Sequence, residues 1–221
     1  MSEAEPTPEL DSRPQSRREW SGWLRSVVLP VGLVLAMVAG LFYIESGSND
    51  GEDSGFGTVE LPAAKNVTSE GPAANEGRAA PDFLLRRLGG NTLRLSDLQG
   101  RPVIVNFWAT WCSTCRAETP DLIELYETHQ DAGLVMLGIN LRENEDAVAS
   151  FVEDFGISYP VAFDRSGEVA STWRIGGPNR GVPSTYFIDP EGVVRKVVFG
   201  LVTEQLAAEG LSLILPSAED G

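Results

Sequence analysis

Residues 103–118, VIVNFWATWCSTCRAE, limit what this chain can fold into more than any other stretch. The first six, Val103 to Trp108, are rich in β-branched and aromatic side chains and read as a buried strand. The chain then turns through Ala109, Thr110 and Trp111 into Cys112-Ser113-Thr114-Cys115, and a helical pattern begins at Arg116. These are the only two cysteines in 221 residues, and they stand at a strand-to-helix junction with two residues between them. A helix N-terminus carries unpaired N–H groups and the positive end of the helix dipole, so the first thiol there can ionise near neutral pH. The spacing also brings the two sulfurs within bonding range on one helical turn.

Two plainer readings compete with redox chemistry. A structural zinc site needs two further ligands, but the chain has no other cysteine, and its single histidine, His129, lies near the end of the next helix. An inert disulfide closing so small a loop constrains the unfolded chain very little, so stability is a poor reason for it. Redox use of the pair is therefore the favoured reading, with no metal and no cofactor expected.

The net charge of −15 argues against a nucleic-acid partner, because binding phosphate needs a basic face. Residues 1–26 are polar and rich in Glu, Pro, Ser and Arg, and read as a disordered tail. Residues 27–44 contain no charge. At ~1.5 Å per residue they make ~27 Å of helix, enough to cross a hydrocarbon core as a transmembrane anchor. Arg13, Arg17, Arg18 and Arg25 precede this span, while Glu45, Asp50, Glu52 and Asp53 follow it. By the positive-inside rule the N-terminus is cytoplasmic and the remainder lies outside the cell membrane. A cleaved signal peptide or a twin-arginine leader is the alternative, and either would also place the remainder outside. Residues 45–79, largely Gly, Ser, Asn, Glu, Ala and Pro, read as a flexible acidic linker, and 80–221 as the folded domain.

Within that domain, 83–88 and 92–95 read as a hairpin around Gly89-Gly90-Asn91. Strands are expected at 103–108, 134–141 and 159–163. Helices are expected at 113–130, with a break or kink at Pro120, and at 144–155 and 167–173. A closing hairpin, 184–188 with 193–199 around Asp189-Pro190-Glu191-Gly192, precedes a last helix over 203–215 capped by Thr203. Alternating strands and helices followed by a hairpin predict an α/β domain, a mixed sheet with helices on both faces.

A strand, a WCxxC, a helix with Pro120 five residues past the second cysteine, and Gly181-Val182-Pro183-Ser184-Thr185 later in the chain together resemble the thioredoxin fold. Ala80-Pro81-Asp82-Phe83, Leu95-Ser96-Asp97-Leu98-Gln99-Gly100-Arg101, Asn106-Phe107-Trp108-Ala109-Thr110-Trp111-Cys112 and Tyr186-Phe187-Ile188-Asp189-Pro190-Glu191-Gly192 narrow the resemblance. They are similar to the membrane-anchored thiol–disulfide oxidoreductases of the ResA/TlpA type, from about residue 80 to 215. The resemblance implies a domain on the outer face of the membrane that reduces protein disulfides, often those of apocytochrome c before haem attachment.

It also implies roles. Cys112 would be the exposed nucleophile and Cys115 the buried resolving thiol. Pro183 would be the cis-proline lying against the disulfide, and Val182 would offer backbone to an extended substrate. Glu118 matches a family glutamate that assists proton movement at the thiols. Thioredoxin has a buried Asp where this chain has Asn106, which cannot accept a proton. Trp111, beside Cys112, is a candidate for substrate contact, although Trp108 and Trp111 suit core packing equally well. Ser113-Thr114 lacks the proline that many relatives carry between the cysteines, and the loop 176–181 is longer than is typical.

On this reading a Cys112 thiolate attacks a substrate disulfide, and Cys115 resolves the mixed disulfide with help from Glu118. A membrane electron donor is then needed to reduce the pair again. Rival functions use the same fold. A disulfide-forming oxidase differs only in potential. A thiol peroxidase would want Pro-x-x-x-Thr-x-x-Cys, and Val105 and Ala109 occupy those positions before Cys112. A copper chaperone would want a wider cysteine pair and a nearby histidine.

Overall fold

The computed structural model describes residues 55–177 and 180–215, together with 30, 31, 33–35 and 37. The chain divides into Met1–Ser54 and Gly55–Gly221. Of the first unit only those six helical positions are described; the predicted tail and the rest of the predicted span fall outside the described residues. Among the described residues no helix is long and apolar enough to cross a membrane.

In the second unit the strands are β1 (Gly57–Thr58), β2 (Phe83–Arg87), β3 (Thr92–Arg94), β4 (Val103–Trp108), β5 (Val135–Leu141), β6 (Val161–Asp164), β7 (Ser184–Ile188) and β8 (Val194–Phe199). The helices are α1 (Ser113–His129), α2 (Glu145–Phe155), α3 (Glu168–Thr172) and α4 (Glu204–Ile214). The strands form one sheet in the order β1-β2-β6-β5-β4-β7-β8, with β3 paired to β2. β4, β5 and β6 run parallel, β7 runs antiparallel to β4, and β8 runs antiparallel to β7. The mixed sheet expected from the alternation of elements is what forms.

Strand periodicity sorts the side chains onto two faces. Val103, Val105 and Phe107 of β4 pack with Trp173 and Tyr186 on one face. There Phe107 and Trp173 have ring centroids 5.4 Å apart, and Trp173 meets Tyr186 edge-on at 4.8 Å. Ile104 and Trp108 pack on the other face with Leu122 of α1, Phe151 of α2, and Leu211 and Ile214 of α4. Asn106 shares their parity, so its side chain points toward α1. Gly138 of β5 lets Trp108 lie flat on this face: a Cβ there would sit 2.9 Å from Trp108 Nε1 and 3.1 Å from Tyr159 Cε2.

Local signals also hold. Asn144 caps α2 by accepting from the Ala147 N–H at 2.8 Å, and Thr203 caps α4 by accepting from Leu206 at 3.3 Å. Pro120 does not end α1, which runs unbroken through it. Proline removes one intrahelical bond, and the Thr119 hydroxyl donates to the Cys115 carbonyl at 2.7 Å in the adjacent turn.

The expected linker 45–79 needs correction from Gly55 onward. Those residues belong to the same compact unit as the domain. β1 pairs with β2, and the Ala74 side chain enters the core. At the opposite edge Gly77 N–H donates to the Val194 carbonyl and Val194 N–H donates to the Arg78 carbonyl, at 2.8 and 2.9 Å. Val197 N–H donates to Glu76 Oε1 at 3.0 Å. The segment covers the outer edge of β8, which would otherwise present unpaired backbone groups. Low apolar content hid this role, because the attachment is made through backbone hydrogen bonds.

Candidate active site

Cys112 lies where β4 hands over to α1. It is the N-cap residue of α1, and its sulfur accepts from the Cys115 N–H at 3.1 Å. Cys112 and Cys115 form a disulfide with Cα atoms 5.2 Å apart. The expected contrast between an exposed and a buried thiol is narrower than the sequence suggested. Cys112 keeps 6 % of its surface exposed and Cys115 1 %, so only the first offers an approach from solvent. The amide that meets Cys112 Sγ, together with the helix N-terminus, favours a thiolate there once the disulfide is opened.

Across the site, the Val182–Pro183 peptide is cis. The Val182 carbonyl oxygen lies 3.6 Å from Cys112 Sγ. Trp111 and Trp108 separate: Trp108 is buried beneath the site, whereas Trp111 is 71 % exposed beside Cys112. His129 lies at the far end of α1, its Nδ1 2.9 Å from the Leu125 carbonyl oxygen. Among the described residues no three or more His, Cys, Asp or Glu side chains gather as a metal site would require.

Glu118 sits one turn past Cys115 on α1 and is fully buried. Its Oε1 accepts from Asn106 Nδ2 at 3.0 Å, and its Oε2 accepts from the Val202 N–H at 3.1 Å. Asn106 is itself fixed by donating to Thr185 Oγ1 at 3.0 Å. Burial pushes the Glu118 carboxyl up from 4.5 to about 7, against the two hydrogen bonds that favour its charged form. A group poised there can take up a proton and return it at neutral pH. Asn106, which cannot accept a proton, therefore serves as the donor that holds Glu118.

Three contributors were not singled out from sequence. The Val202 N–H reaches Glu118, and two residues earlier the Gly200 N–H donates to the Pro183 carbonyl at 2.9 Å. One short loop thus ties the proline turn to the buried acid. Glu143, just beyond β5, accepts from the Thr110 N–H at 2.8 Å, from the Thr110 hydroxyl at 2.5 Å and from Asn140 Nδ2 at 2.7 Å. It clamps the turn that presents Trp111 and Cys112. The sequence signal for it was one of three acidic residues, Glu143, Glu145 and Asp146, after a parallel strand, which reads as a solvated stretch.

Residues 77–197 match the model of the AhpC/TSA family. The chain is 36% identical over 151 residues to the thiol-disulfide oxidoreductase ResA of Geobacillus thermodenitrificans, covering 68% of this chain and 84% of that protein. It is 35% identical over 147 residues to ResA of Bacillus subtilis, covering 66% and 80%. The structure of a thiol:disulfide interchange protein of the thioredoxin family from Chlorobium tepidum is similar at a TM-score of 0.57, with 28% identity over 67% of this chain and 100% of that one. The chain belongs to the AhpC/TSA family, and within it to the thioredoxin-like thiol–disulfide oxidoreductases of the ResA type.

Proposed function

We propose that this oxidoreductase works as a disulfide reductase outside the cytoplasm, with Cys112 as nucleophile, Cys115 as resolving thiol and Glu118 as the proton acceptor for Cys115. The observation that carries the reading is the placement of Cys112 Sγ. It lies between the Cys115 N–H and the Val182 carbonyl, on the less buried sulfur of the pair, with an acid titrating near neutrality on the next turn.

In the reduced enzyme the Cys112 thiolate attacks one sulfur of a substrate disulfide. A mixed disulfide forms, and the other substrate sulfur leaves as a thiolate that takes a proton from water. Glu118 as carboxylate accepts the Cys115 proton, and the Cys115 thiolate then attacks Cys112 Sγ. The mixed disulfide breaks, the second substrate sulfur leaves and takes the proton that Glu118 received from Cys115, and the Cys112–Cys115 bond remains. Two electrons and two protons have passed to the substrate. An electron donor in the membrane restores the dithiol. Val182, Pro183 and the exposed Trp111 line the approach to Cys112 and serve substrate docking.

The uncharged residues 27–44 and the arginines before them support a single-pass anchor with a cytoplasmic N-terminus. The linker between anchor and domain then shortens to residues 45–54. The resemblance to ResA-type enzymes supports a disulfide-bonded protein substrate such as apocytochrome c. Cys115→Ala in the native membrane tests the reading, because it strands the substrate on Cys112. Recovery of a protein released from that adduct by reductant is the expected result. No adduct, or an adduct that forms equally with Cys112→Ala, would contradict the assignment of roles.

A further inference from the structure

The loop between Trp173 and the cis-proline carries two cations, Arg174 and Arg180, in a chain with nearly twice as many acidic as basic residues, 32 to 17. Arg180 is anchored tightly. Its N–H donates to the Gly177 carbonyl at 3.1 Å, and its carbonyl accepts from the Gly176 N–H at 2.5 Å. The Ser184 hydroxyl donates to the Gly181 carbonyl at 2.6 Å, closing the loop onto β7. The Arg180 guanidinium carbon stands 5.1 Å over the ring of Phe199, which is 40 % exposed. Phe199 pairs with Ser184 across β7 and β8, and the next residue, Gly200, donates to the Pro183 carbonyl. Arg180 therefore lies on the flank of the cis-proline.

Beyond the Phe199 ring, its charge meets no carboxylate among the described residues. Arg78, Arg94, Arg165 and Arg195 each pair with a carboxylate. Among the described residues neither Arg174 nor Arg180 makes an ion pair. The carboxylates at this end of the sheet are engaged elsewhere: Glu118 with Asn106 and Val202, Glu143 with Thr110 and Asn140, and Asp164 with the Gly167 and Ala170 N–H groups. Both guanidiniums act on Tyr186 beneath the loop, where burial lifts the phenol to about 12 and the two charges oppose the rise. The long loop thus sets positive charge beside the docking edge of an acidic protein.

We propose that Arg180, assisted by Arg174, forms a cationic lip that selects substrates carrying a carboxylate close to the disulfide to be reduced. The inference rests on the reductase reading and names a substrate class for it. A protein of charge −15 repels acidic polypeptides at long range, and a local cation at the point of entry reverses that sign where contact is made. An interaction of this kind is exposed and therefore sensitive to salt.

The test compares two synthetic peptides, each with one intramolecular disulfide, flanked by Asp and Glu in one and by Asn and Gln in the other. Full-length reduced protein in detergent should reduce the acidic peptide about 2–5-fold faster at low ionic strength, the scale of one rim charge pair. The ratio should fall toward one at high salt and in Arg180→Gln, and return in Arg180→Lys. A ratio of one in the parent at low salt, or an unchanged ratio in Arg180→Gln, would overturn the lip while leaving the reductase reading intact. Failure to reduce either peptide would overturn the reductase reading and the lip with it.

Discussion

Asn106 Nδ2 lies 3.0 Å from Glu118 Oε1, so a strand residue that cannot exchange protons holds in place a helix residue that can. Burial raises Glu118 to about 7 from 4.5. The folded chain therefore binds this proton more tightly than the unfolded chain does, and raising the pH between those values destabilises the fold. The penalty is absent below 4.5, complete above about 7, and amounts to about 3 kcal/mol.

Glu118→Gln should accordingly stabilise the oxidised protein at pH 8 by up to about 3 kcal/mol and leave it nearly unchanged at pH 4. The introduced amide fits if Asn106 flips, its oxygen then accepting from the new side-chain NH2 while the Thr185 hydroxyl turns to donate. Exchange with a small disulfide should slow at the same time, because resolution by Cys115 loses its acceptor. Urea unfolding at the two pH values, beside stopped-flow rates, checks both. A variant that is no more stable at pH 8, and no slower, would reduce Glu118 to a buried residue without a proton role.

Glu143→Ala should loosen the turn before Cys112, since the Thr110 N–H, the Thr110 hydroxyl and the Asn140 amide all lose their acceptor. Stability should fall by about 1–3 kcal/mol, and the rate with disulfide substrates by several-fold. A readout specific to the turn is Trp111 fluorescence, whose emission should shift in the folded variant. Unchanged emission and rate would show that the turn holds without the clamp.

Removing residues 1–79 should destabilise the domain, whereas removing 1–54 should not. The longer cut deletes the Gly77, Arg78 and Glu76 bonds to β8 and the β1 pairing with β2. At about 1 kcal/mol each, the three bonds to β8 alone give about 3 kcal/mol. The exposed β8 edge should also promote association. Denaturation midpoints and sedimentation of the two proteins decide this, and equal midpoints would return residues 55–79 to the status of a linker.

The positions of β4, α1 and the cysteine pair were legible because each rests on a local signal, a run of β-branched and aromatic residues and a CxxC at a strand end. The cis-proline turn at Val182-Pro183 was legible only through the family resemblance, since an X-Pro pair is usually trans. The caps Asn144 and Thr203 were equally local. What escaped depends on contacts distant in sequence. Val202 meets Glu118 through its backbone, which any residue type but proline would supply. Glu143 reaches Thr110 across 33 positions. Glu76 and Arg78 guard β8 from more than a hundred residues away. Trp108 and Trp111 illustrate the same limit: three residues apart, one ends β4 and packs on a face of the sheet, and the other lies in the turn before Cys112 and faces solvent.

On the proposed reading this enzyme gives electrons to disulfides. A strong oxidant arises when the nucleophile is held as a low-pKa thiolate, which stabilises the reduced form. Here Ser113 and Thr114 between the cysteines are neutral, and Arg116 is turned away over the rings of Phe151 and Phe155 at 5.2 and 5.1 Å. Glu118, when charged, opposes a thiolate. Titration of the domain against a defined thiol buffer, followed by Trp111 fluorescence, yields the midpoint directly. The predicted result is a potential near that of thioredoxin, about −270 mV. One near that of the oxidant DsbA, about −120 mV, would contradict the account and make disulfide formation the reaction.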